Sequence, residues 1–234
     1  RDEWPASRGA RDEFVARFGE ERASRFQQAY WATDPVADAL YTGGQPVREI
    51  MPALRDALSK GEAVETTIPT VAALVEDMNK ALEGVAWDRI ERGQKAALSI
   101  PVLAHNLSLG PGALVHTYAA PSIADVLVNT GELTKGAVHR LACTTNWIYS
   151  VYLKDGLRPG NLSFVHTGMV RAMHAHVRRV QSKLGLDYSE WGAPISEFDM
   201  FRTWFDFTYI PYAGLQNMGW KLTAEEEKDA FYLW

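Results

Sequence analysis

Val170-Arg171-Ala172-Met173-His174-Ala175-His176-Val177-Arg178-Arg179-Val180 is the stretch on which the reading of the fold turns. At 3.6 residues per turn, Val170, Met173, His174, Val177, Gln181 and Leu184 share one face, while Arg171, Ala175, Arg178 and Ser182 share another. A mostly apolar stripe with an imidazole at its centre predicts a helix that turns His174 inward. Two chemistries fit such a histidine. The commoner is a core residue whose ring nitrogens are satisfied by backbone or hydroxyl groups; the other is a neutral imidazole offered to a metal in a dry pocket. Spacing alone leaves both open. Arg171 and Arg178, one turn to either side, could serve an anionic ligand or simply meet water. His174 and His176 point to nearly opposite faces and no His-x-x-x-His or His-Glu-x-x-His pattern is present, so a two-histidine metal pair is not expected.

Upstream, Thr134 is placed to cap a helix from about Lys135 to Leu153. Arg140, Cys143, Thr144, Trp147 and Ile148 fall on one face of it, mixing a cation, a thiol and a hydroxyl with apolar rings. Such a stripe is either a pocket wall or a half-buried arginine snorkelling to a surface carboxylate, and the pattern does not choose. His139 lies one turn from Cys143 without an evident orienting carboxylate, so a nucleophilic dyad is a weak reading and a buried, inert thiol is expected. Downstream, Ser196-x-x-Asp199 is a capping pattern opening an aromatic-rich helix that carries Thr203.

Helical periods dominate elsewhere. Val71, Leu74, Val75, Met78 and Leu82 form one stripe, and Ile50, Met51, Leu54, Ala57 and Leu58 form another between Pro46 and Ser59. Strand-like alternation is scarce, so an all-α fold is expected, as one multi-helix domain over residues 1–234. Ala96 to Ala124 contains no Asp, Glu, Lys or Arg. Pro101 and Gly110-Pro111-Gly112 interrupt it, so it reads as two buried helices at the interior rather than as a membrane span.

A net charge of -5 provides no basic footprint for nucleic acid. The single cysteine excludes an internal disulfide framework, and the absence of Cys-x-x-Cys-His excludes covalent c-type haem. Eight Trp residues in 234 are suited to a large apolar ligand cavity. The chain starts at Arg1 without an apolar signal segment, which suggests a processed or trimmed product of unassigned localisation. At the other end Thr223-Ala-Glu-Glu226 opens a helix that meets no Gly or Pro stop before Trp234, and the domain is expected to be truncated there.

Together these segments resemble the rubber-oxygenase (latex-clearing-protein) catalytic domain family. Tyr30-Trp31-Ala-Thr-Asp34-Pro35-Val-Ala-Asp38-Ala39 is similar to the family's early Asp-Pro-x-Ala-Asp-Ala segment, and Arg140-x-x-x-Thr144 to its Arg/Thr helix. Val170-Arg171-x-Met-His174-Ala-x-Val177-Arg178 is similar to the helix bearing the axial histidine, and Pro194-Ile195-x-x-x-Asp199-Met200 with Thr203 continues the likeness. The resemblance implies helices enclosing a non-covalent haem b, with His174 as the iron's axial ligand. It places Arg140, Arg171, Arg178 and Thr203 around the cofactor, and Arg140, Cys143 and Thr144 at the reacting side. The implied partners are O2 and a hydrophobic, isoprenoid-type alkene, with neither nucleic acid nor an integral membrane span. Haem-binding sensor, haem peroxygenase and helical apolar-ligand carrier stand as alternatives. One departure bears on substrate: latex-clearing proteins carry a lysine just before the matching threonine, where this chain has Cys143.

Overall fold

The computed structural model describes residues 3–130, 136–184 and 187–234, and among these the regular structure is entirely helical, with no strand. The amino-terminal part comprises α1 (Arg11–Phe18), α2 (Glu20–Ala29), α3 (Pro35–Ala39), α4 (Val47–Ser59) and α5 (Pro69–Ala81). Asp34 caps α3 by accepting a hydrogen bond from the Ala37 N–H at 3.0 Å, with Pro35 in the first turn where its missing N–H costs nothing. The apolar stripes read from the sequence are the buried faces of α4 and α5: Ile50, Leu54, Ala57 and Leu58 meet Val71, Leu74, Val75 and Met78.

Next come α6 (Trp87–Ser99), α7 (Val102–Leu107), a π-helical turn over Ser108–Leu114, α8 (Val115–Tyr118) and α9 (Pro121–Thr130). This charge-free run is only partly the interior that its composition suggests: Ala96, Ala97, Ile100, His105, Ala113 and Ala120 are buried, but other positions are not. Leu98, Val102, Leu103, Leu107 and Val115 all face solvent, Leu103 with 73% of its surface exposed. Pro101 and the Gly-Pro-Gly within the π turn break the run into short pieces, each too short to bury every side, so a low charge count does not translate into burial. Among the described residues no single helix is long and apolar enough to cross a membrane; α6 and the 102–118 segment pass that test only together, and they are bent by 95°.

The remaining helices are α10 (Ala137–Tyr152), α11 (Leu162–Ser182), α12 (Glu197–Phe207), α13 (Tyr209–Asn217) and α14 (Ala224–Leu233). The predicted cap Thr134 lies outside the described residues. The two other predicted caps form: Ser196 accepts from the Asp199 N–H at 3.2 Å, and Thr223 with Glu226 makes a full capping box. α14 packs along α6, where Gly93 is essential. A Cβ there would collide with the Asp229 carbonyl and lie 3.1 Å from the Leu233 Cβ.

α11 joins the first core. Its buried positions include Phe164, Gly168, Ala172 and Ala175, packed on α3, α4 and α5, with Tyr41 Oη donating to the Ala172 carbonyl at 2.9 Å. This reverses the expectation for α11. The small-residue face is the core, and the Val170–Met173–His174–Val177 stripe is the half-open one, with Met173 47% exposed. The reason is distance. Gly168, Ala172 and Ala175 let α11 approach so closely that a Cβ on Gly168 would sit 2.6 Å from Leu58 Cδ1 and 2.9 Å from Met78 Sδ.

Candidate functional site

Arg171 and Arg178 flank the buried face of α11 and both are paired with carboxylates. Arg171 grips Asp34 through Nε (2.9 Å) and Nη2 (3.0 Å), and reaches Asp77 through Nη1 (2.9 Å). Arg178, itself buried, holds Asp38 at 2.7–2.8 Å. The two aspartates of the Asp34-Pro-x-Ala-Asp38 segment therefore clamp the two arginines of the histidine helix, fixing its rotation. With these guanidiniums committed to carboxylates, the structure gives them an orienting part rather than free cations for a ligand.

Fixing α11 this way leaves His174, three residues after Arg171 and four before Arg178, on the flank beside the clamp, where it is partly accessible yet recessed. Among the described residues its ring has no hydrogen-bond partner. Desolvation lowers its pKa from 6.5 to about 4; Arg178 adds to the lowering and Asp34 opposes it. The imidazole is thus neutral across the physiological range, the form that can donate a nitrogen lone pair to a metal. His176, by contrast, turns toward α3, its ring centroid 5.3 Å from that of Tyr41.

The opposite wall comes from α10. Trp147 Nε1 donates to Thr167 Oγ1 at 3.1 Å; Trp147 is five residues before the end of α10, and Thr167 five after the start of α11. Those positions define an antiparallel hairpin. Moving away from its closed end, Arg140 and His174 each lie seven residues, two helical turns or about 10 Å, from this hydrogen bond on the stripes that face one another. Thr144 lies one turn along from Trp147 on the same stripe. The buried residues of α10 are confined to Ile148–Tyr152, so beyond Trp147 the hairpin is not packed shut.

Among the described residues Arg140 has no carboxylate partner. One terminal nitrogen donates to the Tyr118 hydroxyl, its Cζ lies 5.6 Å from the centre of the Tyr118 ring, and its buried Nε has no partner. Burial lowers its pKa, so the charge is held at a cost. Sequence reasoning missed Tyr118 because nothing in a Val-His-Thr-Tyr turn announces an arginine 22 residues away. It also missed a neighbouring pair, His116 Nδ1 against the buried Asp206 at 2.6 Å, with Thr117 Oγ1 donating to the other Asp206 oxygen at 2.7 Å.

Cys143 is exposed, not buried as expected, with its Sγ 3.6 Å from His139 Nε2. Val138, Leu141 and Ala142 are exposed as well, so no other element packs over this side of α10 among the described residues. Thr203 donates to the Asp199 carbonyl one turn back at 2.7 Å. It shares a face of α12 with Phe207, whose ring meets Trp147 edge-on at 5.6 Å.

These residues suit a planar iron macrocycle better than a bare ion. Among the described residues no group of three His, Cys, Asp or Glu could hold a metal. His174 provides one nitrogen, Val170 and Val177 lie one turn to either side, and Arg140 is an uncommitted cation across the gap. That donor set fits a cofactor that brings its own equatorial ligands.

The fold is that of an all-helical domain with a histidine recessed in an open helical hairpin. Residues 102–234, more than half of the chain, match the family described as ER-bound oxygenase mpaB/B'/Rubber oxygenase, catalytic domain, and the chain belongs to that family. The match begins at α7 and takes in Arg140, Thr144, His174 and Thr203; Asp34 and Asp38 precede it and are tied to it by Arg171 and Arg178. No curated protein and no solved structure matches the chain.

Proposed function

We propose that this domain is a haem b-dependent oxygenase that oxidises or cleaves the C=C bond of a hydrophobic, isoprenoid-type alkene. The observation that carries the reading is His174: a neutral imidazole recessed in an open hairpin and facing Arg140, the one without a hydrogen bond and the other without a carboxylate among the described residues.

His174 would hold the iron, with Asp34–Arg171 and Asp38–Arg178 locking the helix so that the ring keeps its direction. The haem, when bound, supplies the activation of O2. Arg140, supported by Tyr118, offers N–H donors to an anionic group of the cofactor or to charge that develops on oxygen. Thr144, one turn deeper, offers a single hydroxyl. Val170 and Val177, one turn to either side of His174, would pack against the cofactor and limit water at the ring of His174. Thr203, above Phe207, would line the flank beside Trp147. Cys143 cannot supply the ammonium donor that latex-clearing proteins place there, which favours an alkene other than polyisoprene.

Absorption spectroscopy of the protein mixed with hemin tests this directly. A Soret band that saturates at one equivalent, with O2 uptake on addition of isoprenoid alkenes, is the expected result. Absence of a Soret band overturns the haem; a Soret band without O2 uptake leaves a haem-binding sensor.

A further inference from the structure

We propose that Trp147, Trp234, Tyr152 and Tyr149 form a one-electron relay from the α10–α11 hairpin to the protein surface beside Asn106. The four rings lie in unbroken succession. Centroids are 5.4 Å apart between Trp147 and Trp234, 5.9 Å between Trp234 and Tyr152, and 6.0 Å between Tyr152 and Tyr149. Trp147 begins the series at the closed end of the hairpin, on the stripe that also carries Arg140 and Thr144. Tyr149 ends it, its hydroxyl donating to Asn106 Oδ1 at 3.2 Å on the exposed side.

Packing alone accounts for an aromatic cluster, and Phe207, stacked on Trp234 at 5.0 Å, does no more than pack. It does not account for the polar pair at the chain's centre. Tyr152 is fully buried, and its hydroxyl lies 3.3 Å from Nε2 of His105, which is also buried; their rings stack at 5.4 Å. A phenol loses its proton when it loses an electron, so a buried tyrosine can be oxidised readily only beside a base. Burial pushes the Tyr152 pKa up and lowers that of His105 to about 4, leaving a neutral phenol against a neutral imidazole able to accept that proton. Phe at 152 with an apolar residue at 105 would pack as well without burying two polar groups.

A one-electron oxidant derived from O2 in the hairpin removes an electron from Trp147, which is refilled from Trp234, and Trp234 from Tyr152. The Tyr152 proton moves to His105 Nε2. Tyr149 then reduces Tyr152, the proton returns from His105, and Tyr149 releases its own proton to water. A solvent reductant of the ascorbate or thiol class restores Tyr149, being oxidised by one electron for each the oxidant gains. Oxidant left over when no alkene is bound is thereby drained away from Arg140 and His174. Only the identity of the oxidant rests on the oxygenase reading.

The relay can be tested without haem. Cys143 is the only cysteine, is exposed, and sits one turn from Trp147. A ruthenium–polypyridyl maleimide attached there and flash-oxidised with an irreversible quencher places a one-electron hole at the head of the series. The expected product, by transient absorption and EPR, is a neutral tyrosyl radical. Trp234→Phe and, from a different helix, Trp147→Phe should each abolish it, whereas Trp87→Phe, in the same core but off the series, should leave it intact. His105→Phe should slow its formation and remove the solvent-deuterium effect. A tyrosyl yield unchanged in both chain-breaking variants overturns the relay, as does an indole radical that never passes to tyrosine. A missing Soret band would overturn the haem and leave these outcomes untouched.

Discussion

Arg140 and His174 stand at the same level of the α10–α11 hairpin, two turns from the Trp147–Thr167 hydrogen bond, one an uncommitted cation and the other a neutral base. If this level is where the cofactor binds, His174→Ala should lose hemin affinity by an order of magnitude or more. His176→Ala, whose ring packs toward Tyr41, should bind as the unaltered protein does. Soret titration of the two variants decides it, and equal affinity would remove the ligand assignment.

Arg140→Gln separates binding from stability. Among the described residues its guanidinium has no carboxylate to leave behind, and its Nε is already unpartnered. The variant should unfold within about 1 kcal/mol of the parent in urea while hemin affinity or O2 uptake falls clearly. A large loss of stability with unchanged hemin binding would make Arg140 a structural residue.

Asp38→Asn should behave in the opposite way. It weakens the carboxylate that holds the buried Arg178, at 2.7 Å, and frees the charge in the wall behind His174. A cost of roughly 2–4 kcal/mol is expected, below the full range for a completely buried pair because Asp38 is itself partly accessible. Urea unfolding measures it, and hemin affinity should fall only as far as α11 loses its fixed rotation.

Acid should destabilise the fold earlier than its carboxylates alone require. His105 and His174 both have pKa values lowered from 6.5 to about 4 by burial. Unfolded histidines take up protons as the pH falls through 6.5, whereas these two do so only near 4. The unfolded state therefore binds more protons in that window. The contribution is complete above about 6.5 and is lost progressively toward 4, at up to roughly 1.4 kcal/mol per pH unit for each group. Unfolding free energies across this window should show the slope, and His105→Gln should reduce it. Hemin should likewise stay bound to His174 as the pH falls through 6, where an exposed histidine would release it.

Gly93→Ala tests the closest helix contact. The added methyl meets the Asp229 carbonyl of α14, which is backbone and cannot swing aside. Destabilisation of about 2–4 kcal/mol is expected, at or above the usual range for overpacking. Thermal unfolding that matches the parent would mean that α14 can shift freely on α6.

Much of the architecture is legible in local pattern. The stripes of α4 and α5, the caps at Asp34, Ser196 and Thr223, and the all-helical class follow from periodicity and hydrogen-bonding chemistry that neighbours in sequence complete among themselves. The order of weak motifs around Arg140 and His174 carried the family likeness as well. What the chain alone could not show is which face of α11 is buried. Hydrophobicity favoured the Val170–His174–Val177 stripe, but close approach favours small residues, and Gly168, Ala172 and Ala175 won because side chains of α4 and α5, Leu58 and Met78, press onto the backbone of α11 at Gly168. The same long-range packing left part of the charge-free 96–124 run and Cys143 exposed, and gave Arg171 and Arg178 to Asp34, Asp77 and Asp38. Local sequence determined that His174 lies on a helix with a polar and an apolar side. Only the tertiary structure decided that it looks into an open hairpin, because the clamp that turns α11 comes from carboxylates more than ninety residues away.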